Sequence, residues 1–355
     1  MKNRKELRAL EDMMLRSLKK VNDDLFMLEY HGDYSLDKLL EHGSKGILGT
    51  VAFMQKELKR TVPLNPAAGR FGCSAFNTVT ERGERIMGRN FDYKESPCII
   101  LWTAPEGGYR SMSTLTSNFM LYGIKHARVD RAKRPLRLMG APFVAMDGIN
   151  EKGLAIAILE IKSKPTSQDT GKTPIIPPVA VRAVLDTCST VEEGIAVFAK
   201  YDMHDLIGVN YHYMLADDKG ASAVIEYVEG KMNVIRQKSP GERLTVTNYY
   251  LTPGADKKGG RGYDRLKNIS SCLAEHPDGL SEEEAMRLLS RNTLHYHHKW
   301  MPHMVITVWS TVFDLTGRSQ LTCAAMNYEK AYRFSLDKPL EYEELTLKET
   351  ENGRQ

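Results

Sequence analysis

The chain has 355 residues, enough for one large domain or two ordinary ones, with 42% hydrophobic and 26% charged residues. That balance suits a globular protein with a sizeable core. A net charge of +4 at this length gives no footing for nucleic-acid binding, and no apolar run approaches the ~20 residues that span a bilayer.

Residues 1 to about 60 are expected to be helical, because Leu7, Leu10, Met13, Met14 and Leu18 recur at three- and four-residue spacing. A second helical pattern runs from Ser35 to Leu58, interrupted by Gly43 and Gly46. The opening residues Met1 to Glu6 contain no apolar h-region, so no secretory signal is expected. Pro63, Pro66 and Gly69 then break the pattern ahead of Phe71-Gly72-Cys73.

From Cys73 the texture turns to strand. Ser74–Val79 and Arg85–Gly88 flank Glu81-Arg82-Gly83-Glu84, a hairpin turn, and Ile99–Thr103 is a further strand. The residues Phe143–Met146 lead into Asp147-Gly148-Ile149-Asn150-Glu151-Lys152-Gly153. The following Leu154–Leu159 is apolar throughout, as a strand buried on both faces would be. Pro177–Lys200 reads as two helices, the second capped by Thr190. Tyr211–Leu215, Ala223–Val228 and Lys231–Ile235 form a meander, with Asp217-Asp218-Lys219-Gly220 and Glu229-Gly230 as its turns. Leu244–Asn248 is a short strand, and Tyr263–Leu273 and Ser281–Leu289 are helices, the latter opening on a capping box. A hairpin of Val305–Phe313 and Ser319–Ala324 closes the series. Strands, helices, strands, helices and strands in that order suit packed sheets covered by helices.

Five cysteines, Cys73, Cys98, Cys188, Cys272 and Cys323, are odd in number and include no Cys-x-x-Cys pair, which argues against a disulfide framework and a zinc ribbon. A cytoplasmic, reducing setting is expected. His295, His297, His298 and His303 cluster, but no Cys or Glu stands at ligand spacing, so an aromatic- and His-rich loop is favoured over a metal site. The basic run Arg128, Arg131, Lys133, Arg134 and Arg137 is either a solvated loop or a rim that draws in an anionic group. Phe119, Met120, Leu121 and Tyr122 line an acyl pocket or simply pack the core.

The chemistry concentrates at Gly72-Cys73. A thiol reacts only as thiolate, which needs a base or a cationic neighbour. If the Gly72–Cys73 bond is cut, Cys73 gains an α-amine that serves as its own base. The side-chain-free Gly72 lets the sulfur reach the Gly72 carbonyl carbon for an N-to-S acyl shift. Taken alone, Cys73 reads more readily as a structural cysteine.

Its company adds to that reading. Cys73-Ser74-Ala75-Phe76, Gly88-Arg89-Asn90-Phe91-Asp92, Asp147 to Leu154, Val246-Thr247-Asn248 and Trp309 to Asp314 follow one another in order. In this the chain resembles the linear amide carbon–nitrogen hydrolases of the choloylglycine hydrolase superfamily. These include bile salt hydrolases, penicillin V acylases, acid ceramidase and the penicillin acyltransferases. The resemblance implies an α+β fold, the Ntn-hydrolase αββα sandwich. It divides the chain into a helical N-terminal segment, residues 1–72, and a catalytic domain, residues 73–355.

The resemblance also implies roles. Cys73 would be nucleophile and base, Arg89 would favour the thiolate, and Asp92 would hold the α-amine. Asn150 and Asn248 would line the oxyanion hole. Arg265 matches a later family arginine, with Arg261 as a rival. The bland alternatives are a surface ion pair for Arg89 and Asp92 and turn positions for the two asparagines. The implied activity is hydrolysis of a small-molecule N-acyl amide after autocatalytic cleavage of Gly72–Cys73. Residues 1–72 would stay bound, no cofactor would be needed, and a homo-oligomer is implied. Acyl transfer to an amine, or binding by an unprocessed chain without turnover, are the alternatives.

Overall fold

The structure is a computed structural model that describes residues 4–58, 72–120, 138–205, 209–239, 241–255, 262–297 and 304–347. The N-terminal segment holds α1 (Arg4–Ser17), β1 (Lys19–Lys20), β2 (Leu25–Tyr30), α2 (Leu36–His42) and α3 (Ile47–Leu58). Next come β3 (Gly72–Val79), β4 (Arg85–Lys94), β5 (Cys98–Thr103), β6 (Ser111–Thr116), α4 (Ser117–Met120), β7 (Asp147–Asn150) and β8 (Ala155–Ile161). The middle of the chain supplies β9 (Pro174–Ile175), α5 (Pro177–Thr187), α6 (Val191–Lys200), β10 (Asp202–Met203), β11 (Asn210–Ala216), β12 (Ser222–Val228) and β13 (Lys231–Arg236). The last stretch holds β14 (Thr245–Val246), α7 (Tyr263–Glu275), α8 (Glu282–Ser290), β15 (His295–His297), β16 (Met304–Asp314), β17 (Ser319–Ala324), β18 (Lys330–Ser335) and β19 (Glu343–Thr346).

Two large sheets lie face to face. One has nine strands in the order β1-β2-β5-β6-β7-β8-β11-β12-β13; the other runs β14-β3-β4-β16-β17-β18-β19, with β15 added on β16. β8 meets β3 and β4 across the interface, α5 and α6 cover the outer face of the first sheet, and α7 and α8 cover the second. The result is the expected four-layer αββα sandwich. The burial pattern follows: β5 and β8 are buried at every position, whereas the edge strand β13 is part-exposed. The main core fills the space between the sheets and under α5 and α6. A second cluster of Phe76, Ile86, Ile269, Met286, Leu289 and Val312 sits beneath α7 and α8.

Local signals hold where they are strong. Thr190 with Glu193 and Ser281 with Glu284 both form complete capping boxes. The Asp217 carboxylate accepts the Lys219 and Ala221 amides and closes that turn. Leu244–Asn248 shortens to the two residues of β14, paired with Phe76 and Ala75 of β3. No helix among the described residues is long and apolar enough to cross a membrane. All five cysteines are free thiols.

The N-terminal segment departs from the helical expectation. Leu25–Tyr30 is a strand, inserted parallel to β5 from Leu25 against Cys98 to Tyr30 against Thr103. The run Leu-Phe-Met-Leu is too short and too uniformly apolar for period to separate helix from strand. The neighbouring β5 supplies the hydrogen bonds that decide it. α1 packs on β2, and Tyr34 sends its hydroxyl to Asp186 at 2.5 Å, where Asp186 also meets Arg182 at 2.6 Å. The segment is thus built into the large sheet. Leu28 in β2 is fully buried, so Leu28→Ala is expected to lower stability by about 2–5 kcal/mol in denaturant titration. A loss below about 0.5 kcal/mol would show a segment that merely rests on the surface.

Candidate active site

The β3–β4 register positions the site. Gly72 stands opposite Asp92, Cys73 opposite Phe91, and Ala75 opposite Arg89. Side chains alternate along a strand, so Cys73 and Arg89 face the space between the sheets, while Asp92 projects from the opposite face. Cys73 is 1% exposed, and Arg89 and Asp92 are fully buried. They are not a surface ion pair, and each pairs with another partner.

On the inner face, the Arg89 guanidinium donates to Asp147 Oδ2 at 2.6 Å and to the Ile158 carbonyl at 2.8 Å, and its Nη2 lies 3.7 Å from Cys73 Sγ. Its carbon lies 4.7 Å from the Phe91 ring centroid and 5.4 Å from that of Trp309, and those rings stack on each other at 4.0 Å. Trp309 Nε1 also donates to Asp147 Oδ2, at 2.8 Å. Arg89 is therefore held by charge, hydrogen bonds and ring faces together, with little freedom to leave the sulfur.

On the outer face, Arg265 reaches in from the first turn of α7. Its Nη1 donates to the Cys73 carbonyl at 2.8 Å and to Asp92 Oδ2 at 3.1 Å, and its Nη2 donates to Asn248 Oδ1 at 2.7 Å. Thr307 donates to the other Asp92 oxygen at 2.6 Å. Gly262, just before α7, has φ +89°, and a Cβ there would stand 2.8 Å from Arg265 Nη2. Glycine keeps both the turn and the guanidinium in place.

Asn248 follows β14, whose pairing with β3 brings it beside Cys73. Its Oδ1 accepts the Cys73 backbone N–H at 2.8 Å, and its Nδ2 donates to the Glu160 carbonyl at 2.8 Å. In the intact chain the partner of the Cys73 nitrogen is thus Asn248, while Asp92, which the resemblance assigns to the α-amine, is held by Arg265 and Thr307. A Cβ at position 72 would stand 2.7 Å from Asp92 Oδ2 and collide with Leu294 Cδ1. Gly72 leaves room here for the Leu294 and Asp92 side chains.

Asn150 is not brought to this cluster, and the expectation for it is corrected. Its Nδ2 donates to the carbonyls of Leu185 and Cys188, at 3.0 and 2.7 Å. Its Oδ1 accepts the amides of Lys152 and Leu154, both at 3.1 Å. It ties the β7–β8 turn to the end of α5, which leaves no donor for an oxyanion. Arg261, the basic run from Arg128 to Arg137, Leu121, Tyr122, His298 and His303 lie outside the described residues, as do Pro63, Pro66, Gly69 and Phe71. His295 and His297 share an exposed side of β15, and Phe119 and Met120 are buried. Asp147, Thr307 and Trp309 are the site residues that the sequence reading missed. An arginine on a fully buried strand requires a counter-ion, which was the available signal for Asp147.

Burial pushes the Cys73 thiol up to about 11; Arg89 pulls it down, Asp92 raises it further and Arg265 lowers it. Burial likewise raises the Asp92 and Asp147 carboxyls, opposed first by Arg265 and by Arg89 respectively. In the intact chain the sulfur is a protonated thiol beside a fixed cation. Among the described residues the side-chain hydrogen-bond partner of the sulfur is Arg89, a donor, and a free amine at Cys73 would supply a base.

The two-sheet sandwich, with a buried cysteine entering its second sheet at the start of β3, is an N-terminal-nucleophile hydrolase fold. Among solved structures, a variant of conjugated bile acid hydrolase from Clostridium perfringens superposes with a TM-score of 0.56 at 16% identity, covering 79% of this chain and 100% of that one. Penicillin V acylase from Agrobacterium tumefaciens gives 0.54 at 20% identity, covering 77% and 91%. Penicillin V acylase from Pectobacterium atrosepticum is 26% identical over 209 residues, covering 47% of this chain and 56% of that relative. Residues 79–328 match the acyl-coenzyme A:6-aminopenicillanic acid acyl-transferase family, and the chain belongs to it. The matched stretch contains Arg89, Asp92, Asn150, Asn248 and Arg265 and begins beyond Cys73.

Because only thiolate is alkylated, the rate of iodoacetamide reaction at Cys73 in the intact chain is expected to keep rising from about pH 8 to about pH 10. Arg89→Met should move that rise still higher in pH. A plateau reached by about pH 9, the region of an ordinary thiol, would contradict the buried, protonated state.

Proposed function

We propose that the chain is a cysteine amidohydrolase of linear carbon–nitrogen bonds, acting on small-molecule N-acyl amides once the Gly72–Cys73 bond has been cut. The observation that carries this is convergence on one residue. Asn248 meets the Cys73 nitrogen, Arg265 the Cys73 carbonyl and Arg89 the Cys73 sulfur. Any buried residue needs partners for its backbone, but an arginine 3.7 Å from the sulfur is more than packing requires.

The steps follow from the groups present. Cleavage turns the Cys73 amide nitrogen into an α-amine that Asn248 Oδ1 holds in place. The neutral amine, with a pKa near ~8 in model compounds, takes the thiol proton. The thiolate, beside Arg89, adds to the substrate carbonyl carbon. Collapse of the tetrahedral adduct breaks the carbon–nitrogen bond, and the Cys73 ammonium returns its proton to the departing amine. Water, deprotonated by the same amine, then adds to the thioester, releases the carboxylic acid and restores the thiol. The proposed oxyanion donor is Asn248 Nδ2, which in the intact chain donates to the Glu160 carbonyl.

The N-terminal segment, proposed as residues 1–72 with the catalytic segment as 73–355, stays attached after cleavage in this scheme. β2 is hydrogen-bonded into the nine-stranded sheet, and Tyr34 is anchored on Asp186. A second reading is favoured by the family's description, which names an acyl-transferase. An amine that reaches the thioester before water would accept the acyl group and release no acid.

The test is a panel of N-acyl amides, including penicillin V and a conjugated bile acid, assayed for released amine. The expected result is turnover of at least one amide by wild type and its loss by about a thousandfold or more in Cys73→Ala. Added nucleophilic amines then separate transfer from hydrolysis by whether N-acyl product replaces free acid. Turnover that survives in Cys73→Ala would remove the nucleophile from the scheme.

A further inference from the structure

We propose that Glu226 is a positioning residue that fixes Asn248 against Cys73 by anchoring the backbone of Leu251 and Thr252. The proposal rests on the function proposed above for its catalytic consequence, though not for the anchoring itself. Glu226 lies on β12, fully buried, opposite His212 of β11. Its carboxylate accepts the Leu251 amide at 2.7 Å, the Thr252 amide at 3.0 Å and the Thr252 hydroxyl at 2.7 Å, and it faces His212 Nδ1 at 3.2 Å. A buried carboxylate is costly unless its lone pairs are filled, and here two of the four contacts go to backbone amides of one short segment.

That segment crosses between the two sheets. Its start, β14, pairs with β3 in the second sheet. Its end is bonded to Glu226 in the first. Between them, Asn248 donates to the Glu160 carbonyl, and the Tyr250 hydroxyl donates to the Tyr227 carbonyl while accepting from Asn210. Asn248 thus sits on a bridge pinned at both ends, four residues before the last Glu226 contact. The Cys73 nitrogen depends on where Asn248 Oδ1 stands. Glu226 touches neither the nucleophile nor any group that the proposed chemistry moves, so its influence has to pass through this backbone. A loop only loosely tied at its far end would let Asn248 drift, and a misplacement of about 1 Å is enough to cost a large factor in rate.

Glu226→Gln replaces one accepting oxygen by an NH2 group, which opposes the amide or hydroxyl that it meets. Hydrogen exchange read by mass spectrometry is expected to speed up about tenfold or more in peptides covering residues 249–252, with β11 and β12 unchanged. With an amide that the wild type turns over, kcat is expected to fall about tenfold or more while KM stays within about twofold. Thr252→Val, which deletes only the hydroxyl donor, should move both readouts in the same direction by less, and it keeps the test open if Glu226→Gln does not fold. Unchanged exchange at 249–252, or faster exchange with kcat intact, would overturn the proposal. A wild-type chain that turns over no amide would overturn the proposed function instead, leaving exchange alone to decide the anchor.

Discussion

Everything at the site depends on the pairing of β3 with β4. That register sets Cys73 against Phe91 and Gly72 against Asp92. Because side chains alternate, it sends Arg89 to the sulfur side and Asp92 to the other. A slip of one residue would exchange the two faces, moving the arginine from the thiol and the carboxylate into the inter-sheet core. β16 locks the register from the far side of β4 and supplies Thr307 to Asp92 and Trp309 to Asp147. β14 locks it from the far side of β3 and delivers Asn248.

The electrostatics follow from this split. Two buried ion pairs, Arg89 with Asp147 and Arg265 with Asp92, lie on opposite sides of one cysteine. Each arginine is neutralised by its own acid, so the cationic pull on the sulfur is partly cancelled and burial prevails. The thiol stays protonated as long as the Cys73 nitrogen is an amide. The contacts for a free amine are thus already in place around a protonated thiol, and that same thiol must first attack the Gly72 carbonyl for the bond to be cut.

Much of the architecture was legible because its signals are local. The Glu81–Glu84 turn, the Thr190 cap, the Ser281 capping box and the β11–β13 meander all follow from a few adjacent residues. β2 was not legible, because Leu25–Tyr30 becomes a strand only through β5. β6, rich in serine and threonine, shows no apolar alternation and is buried by its neighbours. β18, Lys-Ala-Tyr-Arg-Phe-Ser, and β19, Glu-Glu-Leu-Thr, show no clean alternation and are too short to separate from loop. At the site, Cys73, Arg89, Asp92, Asn248 and Arg265 were legible as an ordered set, but their pairings were not. The odd spacing of Arg89 and Asp92 does place them on opposite faces of a strand, and that much could have been read. Asn150 failed because a buried turn can consume all of an asparagine amide, and a short motif does not show whether it has.

The central claim is that Cys73 becomes a chain terminus. Intact-mass measurement and N-terminal sequencing of the purified full-length protein test it most directly. The account predicts a fragment that begins at Cys73 and co-purifies with the fragment that ends at Gly72. A single uncleaved chain that nevertheless hydrolyses amides at full rate would contradict it.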